Sequence, residues 1–558
     1  MSENDQVETG WCRESRRHRD WEQPERGWRV LNPNQAVIPG ITALPTSYIG
    51  THLTVARSDR HPKRHERVID VLERAGKELD WQVTPRPETE RTASLPNGII
   101  VVDITADPGQ PEPDAWRLLQ KARAISRDTD EEGSADYAPV EGAFLNHLIS
   151  PVSPRGFEPN TLHEPNTLHE PNTLHEPNTV VGTSSVAVAS YLSQGSGGRQ
   201  PIAYTGPSPH RLSDEEFSRR YRRRRPVVAM LDTGCWTKHP WFRRMISGVK
   251  QRPVVDTDVK VRTKTKKGWR NLPIGDPNIT ESDWEAAGGS ERPLDGTLND
   301  IAGHGTFVAG LIHQACPDAE ILSWRVVPAD GEMEEAELLI ALCQVVELVR
   351  QNHEDPSKGH AIDVLSLSLS YYHETPNVTE LIDDALRDLL RELGRLGVTI
   401  VCSAGNDATT RPAFPAAFGP WRHNKRYPAD REIAPVVSVG AKNPDGKIDA
   451  LFSNIGPWVR HYEVGAVLMS SFPKVQGGYE PIARTWFRDG GKLRERSSMD
   501  PDDFRSGFAV WSGTSFSAPI TAGKIAAELL EIEPGPGPIE PSPQTAWAAV
   551  GMVTNLKP

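Results

Sequence analysis

From Pro226 onward the chain alternates two textures, and that alternation restricts the fold more than any other feature. The runs PVVAML, AEILSWRVV, AIDVLSLSLS, GVTIVCSAG, APVVSVGA and VGAVLMSSF are short, β-branched and nearly continuous in apolar residues, the pattern of strands buried on both faces. Between them lie amphipathic helices: Leu339, Leu342, Val346 and Val349 recur at spacings of three and four, and Leu381, Ala385, Leu389 and Leu393 at four. This alternation predicts an α/β unit with a mostly parallel sheet and helices on both sides, its functional groups gathered at the carboxyl ends of the strands.

The chain divides into four parts. Residues 1–45 are polar and without period, and stay unassigned. Within 46–150, YIGTHLTVARS, HERVIDVLERAGKEL, DWQVTPR, NGIIVVDITAD, PDAWRLLQKARAIS and EGAFLNHLIS read as β-α-β-β-α-β, a small ferredoxin-like α+β domain. Residues 151–225 read as a linker. EPNTLH occurs three times from Glu158 and is followed by EPNTVV; a proline in every unit removes a donor and restricts its predecessor, so no helix can persist. Residues 226–558 form the larger unit.

Composition excludes several functions. A net charge of −12 gives no general reason to expect nucleic acid, and the run RRYRRRRP from Arg219, with Tyr221 as its one aromatic residue, comes without a nucleic-acid-binding fold; a processing site is its other reading. VKVRTKTKK places Lys260, Arg262, Lys264 and Lys266 on one face, as in a solvated edge strand. The first residues contain no apolar run, and nowhere do about 18 apolar residues follow one another, so neither a secretion signal nor a membrane partner is expected and the expected location is cytoplasmic. Five cysteines, without a CxxC pair, read as reduced thiols.

Four segments carry the chemistry. VVAMLDTG ends a strand at Asp232, NDIAGHGTFVAGLIHQA starts a helix at His304, VTIVCSAGND ends a strand near Asn406, and WSGTSFSAPITAG starts the last long helix at Ser515. Singly, each residue could be a turn former or a helix cap. In this order, DTG, GHGT with VAG, AGN and SGTS with AP resemble the subtilisin-like serine proteases, or subtilases (peptidase S8), over roughly Val227 to Leu530. The resemblance implies a three-layer subtilisin-like domain acting as a serine endopeptidase through an acyl-enzyme, with Asp232, His304 and Ser515 as the triad and Asn406 as the oxyanion side chain. A serine hydroxyl is a weak nucleophile, so His304 would take its proton, Asp232 would hold the imidazole tautomer, and Asn406 with the Ser515 N–H would meet the developing oxyanion.

The resemblance also places Ser368, Leu369 and Ser370 along the substrate backbone, opposite Ala404 and Gly405, with recognition by strand addition. The family often has glycine where this chain has Ser370 and Tyr371. No organic cofactor is implied; calcium is common in the family, but no calcium loop is visible and no metal site is placed. The expected partners are protein or peptide substrates and the chain's own N-terminal domain, which resembles subtilase propeptides, with a permanent recruitment domain as its rival reading. Cleavage is expected between about 150 and 225, where exposed backbone is anticipated. The rival to an active enzyme is a catalytically silent peptide-binding or regulatory module. Two enlarged connections, roughly 250–295 and 474–507, read as surface loops flanking the site. Cys235 is either an accessible thiol beside the triad or a buried, inert one.

Overall fold

The computed structural model describes residues 27–31, 43–57, 63–151 without 90, 93–97, 131–139 and 141, and 199–558 without 205, 243–244, 247–248, 251–252, 266–267, 281–284, 286–300, 329–330, 377–383, 423–426, 476–483, 498–503 and 533–540. The EPNTLH repeat, most of residues 1–45, Lys266 and Leu381 lie outside the described residues. The first unit runs β1 (Ser47–Ala56), α1 (Arg64–Glu78), β2 (Trp81–Pro85), β3 (Ile99–Ala106), α2 (Ala115–Asp130) and β4 (Ala143–Ile149). These four strands lie in the order β4-β1-β3-β2, with every neighbour antiparallel, and Trp28–Val30, from the segment left unassigned, pairs antiparallel with the start of β1. Val68, Val71, Leu72 and Ala75 recur at helical spacing along α1 and meet Leu118, Leu119 and Ala122 of α2 over Leu53, Val55, Val102 and Leu145 of the sheet.

The second unit contains β5 (Val227–Asp232), β6 (Val255–Asp256), α3 (His304–Ala315), β7 (Glu320–Arg325), α4 (Glu335–Glu354), β8 (Val364–Leu367), α5 (Asp384–Arg395), β9 (Thr399–Ser403), β10 (Val436–Lys442), β11 (His461–Val464) and α6 (Thr514–Glu531). Seven strands pair in the order β6-β7-β5-β8-β9-β10-β11, all parallel. Side chains alternate across the sheet: Val228 and Met230 of β5 face α3 and α6 through Phe307, Leu311, Ala518 and Ala522, while Ala229 and Leu231 face α4 and α5 through Leu338, Leu342, Leu386 and Leu390. Three layers result. The chain leaves β5 for β7 on one side and then returns to β8 on the other, so the strand order reverses between β5 and β8, where an open sheet presents a crevice.

One expectation needs correction. VGAVLMSSF does not join the parallel sheet; its strand, Leu468–Ser471, pairs with Phe508–Trp511, which in turn pairs with Gln200–Pro201. Its Ser470 and Ser471 hydroxyls donate to the Phe307 and Thr306 carbonyls of α3 at 2.7 and 2.9 Å, contacts that an apolar pattern does not reveal. The strand that does extend the sheet, β11, is half-buried and polar. Half of the arginine run is engaged in the fold, while Arg219, Arg220 and Arg222 are exposed. Arg223 donates to the Leu529 and Ile532 carbonyls at the end of α6, where the helix dipole favours a cation. Arg224 forks onto Asp363 at 2.6 and 2.8 Å, and Arg225 reaches Asp318 at 2.7 Å. The strand Lys260–Thr265 does alternate, with Lys260, Arg262 and Lys264 exposed and Val261 and Thr263 buried.

Helices α3 and α6 approach closely because Gly523 has no side chain. A Cβ there would stand 2.5 Å from Ala315 Cβ and 3.0 Å from the Ile312 carbonyl oxygen. Gly→Ala inside a helix ordinarily stabilises by up to about 1 kcal/mol. Gly523→Ala is expected to reverse that sign and cost about 1–3 kcal/mol, the range for overpacking a close-packed core. A lowered denaturation midpoint, measured in a Ser515→Ala background, checks it.

Candidate active site

Strand β5 delivers Asp232 to its carboxyl end, and α3 opens with His304. The first turn of α3 presses on the loop after β5, since a Cβ on Gly305 would run into the Gly234 carbonyl and lie 3.1 Å from Asp232 Oδ1; only glycine allows this approach. His304 Nδ1 donates to Asp232 Oδ1 at 2.7 Å, with both residues buried. The same oxygen accepts the Thr233 N–H at 2.7 Å, and such donors offset the cost of burying a carboxylate. With the proton on Nδ1, His304 Nε2 presents a lone pair, and that atom has no hydrogen-bond partner among the described residues.

Ser515 lies in the first turn of α6, whose Phe516 ring stands 5.3 Å from the His304 ring. Pro519 cannot donate to the Ser515 carbonyl, four residues back; Ser368 Oγ donates to it instead, at 2.9 Å. Asn406 is oriented by the same helix start. Its Oδ1 accepts both the Thr514 N–H and the Thr514 hydroxyl at 2.8 Å, and because a backbone N–H can only donate, the Nδ2 end is left as a donor. Gly405 has φ +98° and sends its N–H to Thr514 Oγ1. Asn454, fully buried, accepts the Asp407 and Thr409 N–H groups and donates to the Ala404 carbonyl at 2.8 Å. Asn454 escapes motif reading because it acts through contacts across many residues, and Thr514, although inside the SGTS motif, shows its hold on Asn406 only in the fold.

The segment after β8 is occupied by the chain itself. Ser150, just beyond β4, forms an antiparallel bridge with Ser370, and Pro151 O accepts the Ser515 hydroxyl proton at 2.8 Å. Leu369 is buried. Tyr371, where the family often has glycine, stacks its ring on His147 of β4 with centroids 4.6 Å apart. His147 Nδ1 and Nε2 meet Glu335 and Glu374 at 2.5 and 2.9 Å, all three being buried. Asn146 Oδ1 accepts the Ala336 N–H in the first turn of α4, and the strand Met333–Glu334 extends the first sheet beside β4.

One group among the described residues, His147, His373 and Glu374, holds ligand-type atoms within 4.8 Å of one another. Both His147 nitrogens face carboxylates and His373 Nδ1 accepts the Thr375 N–H, whereas His373 Nε2 and Glu374 Oε1 have no hydrogen-bond partner among the described residues.

The sequence pattern of the subtilase family matches residues 223–543, more than half of the chain, and the chain belongs to this family. It is 26% identical over 205 residues to the major intracellular serine protease of Bacillus subtilis (strain 168), covering 34% of this chain and 47% of that one. Over 313 residues it is 23% identical to the intracellular serine protease of Paenibacillus polymyxa, covering 54% of this chain and 65% of that one. The match thus spans about half the length of the first curated relative. A solved cold adapted subtilisin-like serine proteinase aligns at 17% identity over 62% of this chain and 86% of that one, with a TM-score of 0.34; the fold assignment rests instead on the family match and on the strand order above.

Cys235 is half-buried beside this site. Burial first, and the Glu285 carboxyl next, push its thiol well above the ordinary range, so the reactive thiolate is scarce at neutral pH. In the folded protein Cys235 is expected to alkylate no faster than the fully buried Cys402, as read by peptide mass spectrometry against an unfolded control.

Proposed function

We propose that the chain is a serine endopeptidase held in check by its own N-terminal domain. One observation carries this reading: a peptide segment forms an antiparallel bridge with Ser370 and rests the Pro151 carbonyl on the Ser515 hydroxyl. In turnover, Ser515 Oγ attacks the substrate carbonyl carbon while its proton passes to His304 Nε2, and the carbonyl electrons move onto the oxygen. Asp232 stabilises the imidazolium without taking the proton. Asn406 Nδ2 and the Ser515 N–H, at the positive end of α6, stabilise the oxyanion. Collapse breaks the C–N bond, the amine leaves with the proton from His304, and water then releases the acyl group by the reverse path. A fluorophosphonate should label Ser515 once the N-terminal domain has been released; a folded, released protein that is not labelled would overturn the enzymatic reading. Asn406→Ala should lower kcat by about 10²–10³ with little change in KM.

The strand order β4-β1-β3-β2 supports a ferredoxin-like domain of the propeptide kind, and the position of Pro151 supports self-processing next to that residue rather than at the arginine run. Intact mass of the wild type beside Ser515→Ala tests this. A shortened wild type and a full-length mutant are expected; two full-length proteins would leave a permanently retained domain. Both bacterial relatives are named as intracellular, and among the described residues no helix is long and apolar enough to cross a membrane; we place the activity inside the cell.

Docking of this domain should depend on pH through His147. Burial pushes its imidazole down, but the Glu335 and Glu374 carboxylates outweigh burial and lift it to about 9. The facing His373 is pushed down to about 4, chiefly by burial, and is neutral when His147 is charged. A raised folded value means that the stabilisation is whole below about 6.5, the ordinary histidine value, and is lost as pH rises through about 9. In Ser515→Ala, amide-exchange protection of β4, corrected for intrinsic exchange, is expected to fall across that window, and His147→Gln should flatten the dependence.

A further inference from the structure

The connection between Asp232 and His304, read from sequence as a surface loop, plants a carboxyl group in the interior. Glu285 is 3% exposed. Its Oε1 accepts the Thr233 hydroxyl at 2.6 Å, and its Oε2 accepts the Thr306 hydroxyl at 2.8 Å. Thr233 follows Asp232, and Thr306 lies two residues beyond His304. One carboxyl group therefore ties the loop after β5 to the first turn of α3, the two pieces of backbone that must hold the Asp232–His304 hydrogen bond.

Thr233 is the junction. Its Oγ1 accepts the Gly305 N–H at 2.8 Å and lies 3.3 Å from Asp232 Oδ1, the oxygen that receives His304 Nδ1–H. A hydroxyl has one proton to give. When Glu285 is ionised, that proton goes to Glu285 Oε1. When Glu285 is protonated on that oxygen, it donates to Thr233 Oγ1, and the Thr233 proton is free to turn to Asp232 Oδ1. The state of Glu285 thus decides whether Asp232 receives one more hydrogen bond. We infer that Glu285 is a positioning residue for the Asp232–His304 pair, acting through the hydroxyls of Thr233 and Thr306. This rests on the reading of Asp232 and His304 as the catalytic pair.

The groups around Glu285 bear this out. Burial, more than any neighbour, raises its carboxyl to about 8; Asp232 adds to the rise, while the two threonines and Arg325 oppose it. Cys235 also faces it, as a neutral thiol. Glu285 consequently carries its proton through neutral pH and loses it in the mildly alkaline range, adding a second negative charge behind Asp232.

The test compares wild type with Glu285→Gln and Glu285→Ala over pH 5–10, an interval on either side of the usual histidine value, about 6.5. In the wild type, kcat/KM is expected to show an inflection near pH 8. Glu285→Gln, which cannot ionise but can accept one hydroxyl and donate to the other, should keep most of kcat and lose that inflection. Glu285→Ala should lower kcat by about 10- to 100-fold, the scale of a small misplacement of catalytic groups, with KM nearly unchanged. The second readout needs no turnover: in a Ser515→Ala background, the low-field proton resonance of His304 Nδ1–H should change its pH dependence when Glu285→Gln is added. If both variants keep the wild-type kcat and pH profile and leave that resonance unmoved, the inference is overturned. If the wild type itself neither turns over nor labels, the protease reading fails, and the resonance alone decides the role of Glu285.

Discussion

The buried hydrogen bond from His304 Nδ1 to Asp232 Oδ1 is the contact around which the second unit is arranged. A carboxylate in the interior costs several kcal/mol unless donors surround it, and here the donors come from separate pieces of backbone: the Thr233 N–H beside it and the imidazole from α3. They converge because β5 ends where the strand order reverses and because Gly305 lets α3 press against the loop at Gly234. Helix α6 completes the cluster from the same side of the sheet, with Pro519 leaving the Ser515 carbonyl to Ser368 and Thr514 turning Asn406.

The contact between the two units has the same logic. Asn146 and His147 in β4 meet the first turn of α4, where Asn146 Oδ1 accepts the Ala336 N–H and His147 Nδ1 meets Glu335. Glu374 and Tyr371 close the other side of His147. The Tyr371 ring thus helps to seat β4 by stacking on His147. From there the chain needs only Ser150 to bring Pro151 to Ser515. Because both units belong to one chain, the docking is intramolecular and favoured by a high effective concentration.

Residues 227–530 were the most legible part of the sequence. Buried parallel strands write their burial into uninterrupted apolar runs, and β5, β7, β8, β9 and β10 all lie where such runs occur. The polar β11 carries no such mark, and Leu468–Ser471 carries the mark yet joins another sheet, because hydrophobicity records burial and not the identity of the neighbour. Asp232, His304, Asn406 and Ser515 stood out through short motifs, each at a strand end or a helix start.

What the sequence determined by itself was local: periodicity, glycines where backbones must touch, and the types of reactive side chain. Tertiary structure alone decided which partners those side chains have. Glu285 sits in a polar stretch with no motif around it, and only folding sets it between Thr233 and Thr306. His147 lies in an ordinary strand pattern, and its two carboxylates come from residues far along the chain. The physical reason is that a burial pattern repeats every two or nearly four residues and so can be read along the chain, whereas a hydrogen bond between distant residues has no period and exists only once the packed layers bring its two ends together.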